Sequence, residues 1–217
     1  AHIQHHYYYN SPHVKTSELR NPNWYVDELE DPFLEMVRVY DRIIQNLLSL
    51  SNTEIIIATG LSQKPYNKLK YYYRLVEHES FLNDIGITFS SVVPRMTRDF
   101  LINFDNPKEA LLAEQKLNKI MVDKNIKLFK EIDNRGNSLF VVLTFSDEIT
   151  KKTRVSIGQW SALLKKYVIF VAIKNGEHQS KGFAYFSEGI LKFAPAEGSR
   201  VSKIHDTVLN FFDASNK

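Results

Sequence analysis

Residues Tyr167–Ile173, YVIFVAI, form a short continuous apolar run rich in β-branched and aromatic side chains, which reads as a buried strand. The run stops at Asn175-Gly176, and Glu177-His178 follows at once. A glycine-punctuated segment, GFAYFSEGILKF, comes next, and then a helical pattern over Val201–Phe212. Open α/β sheets place ligand and metal groups just past the carboxyl ends of their strands, and His178 has that position in the sequence.

Working outward, Asp31-Pro32 opens a helix with Asp31 as N-cap, Pro32 in the first position and Glu35 in the first turn. Phe33, Met36, Val37, Tyr40, Ile43, Ile44, Leu47 and Leu48 recur at helical spacing as one broad apolar stripe, ended by Ser51-Asn52. Glu54–Ala58 then reads as a compact buried strand closed by Thr59-Gly60, a switch of period expected of α/β architecture. The next segment, LSQKPYNKL, reads as a loop, Tyr71–Leu82 as a helix and Ile87–Val93 as a strand. The alternation around Ile3–Tyr9 suggests a further strand.

Residues 97–149 read as a separate module. Asp99–Phe104 is a strand, Asn106-Pro107 starts a helix, and Lys127–Ile132 and Ser138–Phe145 are strands joined by the turn Asn134-Arg135-Gly136-Asn137. The order β-α-β-β has the shape of half or more of a ferredoxin-like fold. The expected organisation is an α/β sheet domain over 1–93 and 150–217, flanked by helices, with 97–149 inserted in it.

The bulk numbers narrow the classes. The chain has 217 residues, and its net charge of +3 gives no general case for a nucleic-acid or membrane partner. Cysteine is absent, so disulfides, thiolate zinc sites and a cysteine nucleophile are excluded, and a metal would need His, Asp, Glu, Asn or hydroxyl ligands. No apolar run approaches the ~18 residues of a membrane-spanning helix.

Three segments together resemble the alkaline phosphatase superfamily, in its sulfatase and phosphodiesterase branch. They are Tyr40-Asp41-Arg42-Ile43-Ile44 leading to Thr53–Gly60, Asn175-Gly176-Glu177-His178 through Lys181-Gly182-Phe183, and Ile204–Phe212. Tyr9-Asn10-Ser11-Pro12-His13 adds a weaker likeness to the loop near a sulfatase substrate. The likeness covers about two thirds of the chain, with 97–149 as a cap or accessory insert. It implies a metal-dependent hydrolase of phosphate or sulfate esters, in which divalent ions, zinc above all, activate a hydroxyl nucleophile and hold the charge of an in-line displacement. The resemblance makes His178 a metal ligand and sets Asn10 and His13 near a small anionic ester; Thr59, Ser62 and Gln63, which follow a strand, are placed by that position to bind its oxygens.

The departures from the family point elsewhere. Where the family's Ser-Asp-His-Gly motif supplies metal ligands, this chain has Ala58 and Thr59 before Gly60, and a threonine hydroxyl is a far poorer ligand than carboxylate plus imidazole. No nucleophile is assignable. The chain therefore reads as a carboxyl-terminal part that associates with a missing segment or subunit, or as a non-catalytic binding relative.

Blander readings stand beside these. His178 is equally a solvated loop histidine, His13 a surface one, and Thr59-Gly60 a strand end. His2, His5 and His6 read as a chance cluster, His205 as a helix-surface residue, Arg95, Arg98 and Arg154 as solvated arginines, and Tyr71-Tyr72-Tyr73 as packing. The stretch Arg135-Gly136 through Phe140 and Phe145 is faintly similar to an RNA-recognition strand, but the two phenylalanines fall on opposite faces, so one must be buried.

Overall fold

The computed structural model describes residues 2–15 and 17–215. The chain opens with helix α1 (His2–Tyr7) and a 3-10 turn over Tyr8–Asn10, then helix α2 (Pro32–Leu48), strand β1 (Ile56–Ala58) and the long strand β2 (Ser62–Leu75). Helix α3 (His78–Asp84), strands β3 (Ser91–Pro94) and β4 (Asp99–Asn103) and helix α4 (Pro107–Leu117) follow. Next come β5 (Met121–Val122), β6 (Ile126–Lys127), β7 (Phe129–Asn134), β8 (Ser138–Leu143), β9 (Arg154–Ile157) and β10 (Trp160–Leu163). The chain ends with β11 (Val168–Gln179), β12 (Ala184–Phe186), α5 (Glu188–Leu191) and α6 (Lys203–Ser215). It is a mixed α/β protein built on small antiparallel sheets.

The residues fall into two compact units, Ala1–Lys68 with Asn175–Lys217, and Leu69–Lys174. The boundary cuts β2 and β11, so the expected edges at 93/97 and 149/150 lie inside the second unit. The reason is strand pairing. β3 completes a sheet of order β3-β4-β8-β7, and β9 and β10 complete another of order β10-β9-β5-β6, so residues flanking 97–149 belong with it.

In the second unit β4, α4, β7 and β8 match the expected elements, with β8 paired antiparallel to both β4 and β7, but the short strands β5 and β6 intervene between α4 and β7 and belong to the other sheet. Local signals fix it. The Asn106 side chain accepts from the Glu109 amide at 3.0 Å and donates to the Glu109 carboxylate at 2.9 Å, a reciprocal cap that starts α4 at Pro107. Gly136 takes a φ of +84° in the β7–β8 turn. Phe100 and Ile102 on β4, Leu139 and Val141 on β8, and Ala110 and Leu117 on α4 are buried in one core. Tyr71–Leu82 is not the expected helix. Tyr71, Tyr73 and Leu75 are buried and Arg74 is exposed, a period of two that extends β2 before α3 begins at His78.

The first unit holds two two-stranded sheets, β1 with β12 and the outer part of β2 with that of β11, rather than the single expected sheet. Two further expectations change here. Ile3–Tyr9 is helical, α1 running into the 3-10 turn, and His2 and His6, one turn apart, stack with ring centroids 6.2 Å apart. β11 does not stop at Asn175-Gly176. Gly176 lies flat on β2, where a Cβ would come 2.6 Å from the Lys64 carbonyl oxygen, so the strand runs on and His178 sits within it. In the second unit, Ile169 and Val171 of the apolar run are exposed, so that strand is buried on one face only.

Asp31 caps α2 as expected, accepting from the Leu34 amide at 2.9 Å, and its second oxygen accepts from the Ser11 hydroxyl at 2.7 Å. The helix's apolar stripe is not a core stripe: α2 has no buried residue, and Val37, Tyr40, Ile43, Leu47 and Leu48 are exposed.

Candidate ligand site

The β1–β12 pair sets Ile56, Ile57 and Ala58 opposite Phe186, Tyr185 and Ala184. Thr59 extends the ladder one step. Its amide donates to the Phe183 carbonyl at 2.8 Å, and the Phe183 amide donates to the Thr59 hydroxyl at 3.0 Å. Gly182 permits this approach, since a Cβ there would overlap the Thr59 carbonyl oxygen. At the other end of the pair, the Ile55 amide donates to the Ser187 hydroxyl at 2.7 Å, and the Glu54 carboxylate accepts from that hydroxyl and from the Gly189 amide.

After α5 the chain turns back. The Ser199 amide donates to the Ala196 carbonyl at 3.1 Å around Gly198, whose φ of +83° disfavours any side chain. The buried Thr207 hydroxyl donates to the Phe193 carbonyl at 3.0 Å and ties α6 to this turn. Thr59-Gly60, Ser180–Ala184 and the turn before α6 together surround a cavity of about 930 Å³. That volume lies within the ~300–1,000 Å³ of small-molecule sites. Its charged lining residues are Lys181, Arg200 and Glu197, and Ser180, Ser199 and Ser202 add hydroxyls. The Lys181 ammonium lies 5.8 Å from the centroid of the Phe183 ring, so it shares one wall with an aromatic face.

No family model, curated protein or solved structure matches the chain.

Of the residues expected to form a site, Thr59 alone lines this cavity, and its hydroxyl is engaged by the Phe183 amide. Asn10 accepts from the Asn21 side chain at 2.7 Å. His13 is exposed in the turn that the Val14 amide closes on the Ser11 carbonyl at 3.2 Å, and Gln63 is half-buried in β2. His178 stands two residues before the first cavity residue of its segment and faces His5, with the two Nε2 atoms 3.2 Å apart. The rings meet edge-on at 85°. His5 is 6% exposed, and its Nδ1 donates to the Gly176 carbonyl at 3.0 Å. A carbonyl only accepts, so Nδ1 carries the proton of the neutral His5 ring and Nε2 presents a lone pair to His178.

Behind this pair lies a buried amide cluster. Asn175 accepts from the Tyr9 amide and from the Asn21 side chain, both at 3.0 Å, and donates back to Asn21 at 2.7 Å. Tyr9 is buried, and its hydroxyl donates to the Tyr66 carbonyl at 2.5 Å. Burial is the main reason its pKa is raised.

The two imidazoles are a partial ligand set. A catalytic zinc takes about three protein ligands. Among the described residues no group of three or more His, Cys, Asp or Glu could hold a metal ion. These residues do not by themselves fit a zinc site.

In the second unit, Phe145 is buried, while Phe140 is half-buried under the Arg135 guanidinium at 5.1 Å. Arg135 pairs with Asp133 at 2.7 Å. Arg98 stacks on Tyr72 at 4.1 Å, and Arg154 donates to the Ser161 hydroxyl at 3.0 Å.

Sequence reasoning read His5 as part of a chance cluster, quoted Lys181 without giving it a role, and missed Arg200. Arg200 follows a Pro195-to-Gly198 turn, but nothing in its spacing announces that it borders residues from near 59 and 182.

Proposed function

We propose that the chain binds the ester in a metal-dependent phosphate- or sulfate-ester hydrolase of the alkaline phosphatase type. One observation carries this reading. The three segments that resemble that superfamily contribute Ala58-Thr59-Gly60, Lys181-Gly182-Phe183 and Ile204 to a single cavity, which holds two cationic side chains and one acid. A site for an anionic ester needs that balance of charge. In this reading the β1–β12 pair belongs to an alkaline-phosphatase-like sheet, and β4-α4-β7-β8 is part of a ferredoxin-like insert. His178, with His5, supplies two imidazoles of a divalent-metal site, and a further segment or subunit supplies the remaining ligands and the nucleophile.

The second reading is a non-catalytic binding relative, favoured by Ala58 and Thr59 where the family has its ligand pair. Calorimetric titration of the full chain with zinc or manganese separates the two. Two imidazoles hold a metal weakly, so the hydrolase reading expects weak uptake that His178→Ala abolishes. Equal uptake by both proteins, or none by either, assigns the chain to the binding class.

A further inference from the structure

The cavity has more room and more apolar wall than an inorganic oxyanion can use. Phe183, Leu191 and Val201 line it and are 63%, 56% and 60% exposed. Phe186, Pro195 and Ile204 line it as well. Large apolar side chains left open to water around one concavity mark a surface whose ligand covers them. The polar part of the lining is cationic on balance. Among the described residues the Arg200 guanidinium makes no ion pair or hydrogen bond, so its five donors are free for an incoming group. It sits at the end of the Gly198 turn, whose backbone hydrogen bond fixes where the side chain leaves the chain. The Lys181 ammonium beside the Phe183 ring puts positive charge and an aromatic face on the same wall.

From this we infer that the cavity binds an amphiphilic anion: one sulfate or phosphate group on an aryl or alkyl body. Arg200 and Lys181 take the anionic head, and Phe183, Leu191 and Val201 cover the body. The inference rests on the anionic-ester reading of the same site and narrows it, because a sugar ester has the head but not the body, and a free oxyanion lacks the body altogether. It requires no metal and no turnover. Oxyanion recognition by a guanidinium is commonly bidentate, which gives the head a fixed orientation against the apolar wall.

Equilibrium binding to the full, metal-free chain tests it. The probes are 4-methylumbelliferyl sulfate and phosphate, uncharged 4-methylumbelliferone, inorganic sulfate and glucose 6-sulfate. The expected result is that the aryl esters bind at least about tenfold tighter than each of the other three. Arg200→Ala and Phe183→Ala should each weaken the aryl ester by about tenfold or more. Phe183 is held to Thr59 through backbone atoms and its ring is exposed, so the truncation leaves the ladder in place. Val201→Glu, at an equally exposed wall position, places an acid against the body and should abolish binding, with far-UV circular dichroism confirming an intact fold. Inorganic or sugar sulfate binding as tightly as the aryl ester overturns the inference, and so does an affinity indifferent to Phe183→Ala and Val201→Glu. Aryl-ester binding without metal uptake retains this inference and removes the hydrolase. Metal uptake lost in His178→Ala, without aryl-ester binding, does the reverse.

Discussion

Replacing Asn175 by Ala should destabilise the first unit by about 3 kcal/mol. Asn175 is fully buried and makes three hydrogen bonds, to the Tyr9 amide at 3.0 Å and in both directions with Asn21 at 3.0 and 2.7 Å. Each such neutral bond contributes about 1 kcal/mol net, and a buried group left without a partner costs about 1–3 kcal/mol. The substitution strands two groups, the Tyr9 amide and the Asn21 side-chain oxygen. The Asn21 side-chain nitrogen keeps Asn10 and the His6 carbonyl at 2.7 and 3.0 Å, which limits the damage. Against a typical domain stability of about 5–15 kcal/mol, the loss is large but leaves a folded protein at low temperature. Two readouts check it. Urea unfolding in a Trp160→Phe background follows Trp24, which then reports on the first unit alone. Amide hydrogen exchange at Tyr9 reports the lost acceptor directly. A stability change under about 0.5 kcal/mol, with the Tyr9 amide still protected, would refute the reasoning.

Three further outcomes follow from the geometry. Gly182→Ala drives a Cβ into the Thr59 carbonyl, so it should cost about 1–3 kcal/mol in urea unfolding and weaken aryl-ester binding, because the ladder that positions Lys181 must open. Asp31→Ala removes the α2 cap and the Ser11 anchor together, and should cost about 1–2 kcal/mol, with Asp31→Asn restoring most of it. His78 is held below its ordinary value of 6.5 by burial first and then by Arg74, with Glu77 opposing; its ring packs 4.9 Å from that of Phe100. A lowered folded value means stability present above 6.5 and lost as pH falls through that window toward the folded value, so the second unit, followed by Trp160 fluorescence, should weaken in acid, and His78→Phe should flatten that part of the profile.

The parts legible in the sequence are those whose signal is local. Asp31-Pro32 and Asn106-Pro107 announce α2 and α4 because the capping side chain sits three residues from the amide it serves. The turn at Asn134–Asn137 announces β7 and β8 because Gly136 alone relieves its backbone. The β2 strand was hidden because three consecutive tyrosines carry no contrast in polarity, although only Tyr71 and Tyr73 are buried. Asn175-Gly176 reads as a turn by composition, yet the asparagine is taken by Asn21, 154 residues away, and the glycine is required by the Lys64 backbone. The candidate site has the same character. His5 meets His178 across 173 residues and Thr59 meets Phe183 across 124, and no spacing rule reaches so far. Thr59 and His178 stood out because they follow or end strands. Arg200 and Lys181 did not, because a single cation on a loop is ordinary until its neighbours are known.

The central claim is that Thr59, Lys181–Ala184 and Ser199–Ser202 border one site for an anionic aryl or alkyl ester. Nitrogen–proton correlation spectra of the labelled full chain, recorded while 4-methylumbelliferyl sulfate is added, test it most directly. The account predicts saturable shifts concentrated at the amides of Thr59, Gly60, Lys181–Ala184 and Ser199–Ser202. Saturable shifts confined to other residues, or none at these positions at millimolar ligand, would contradict it.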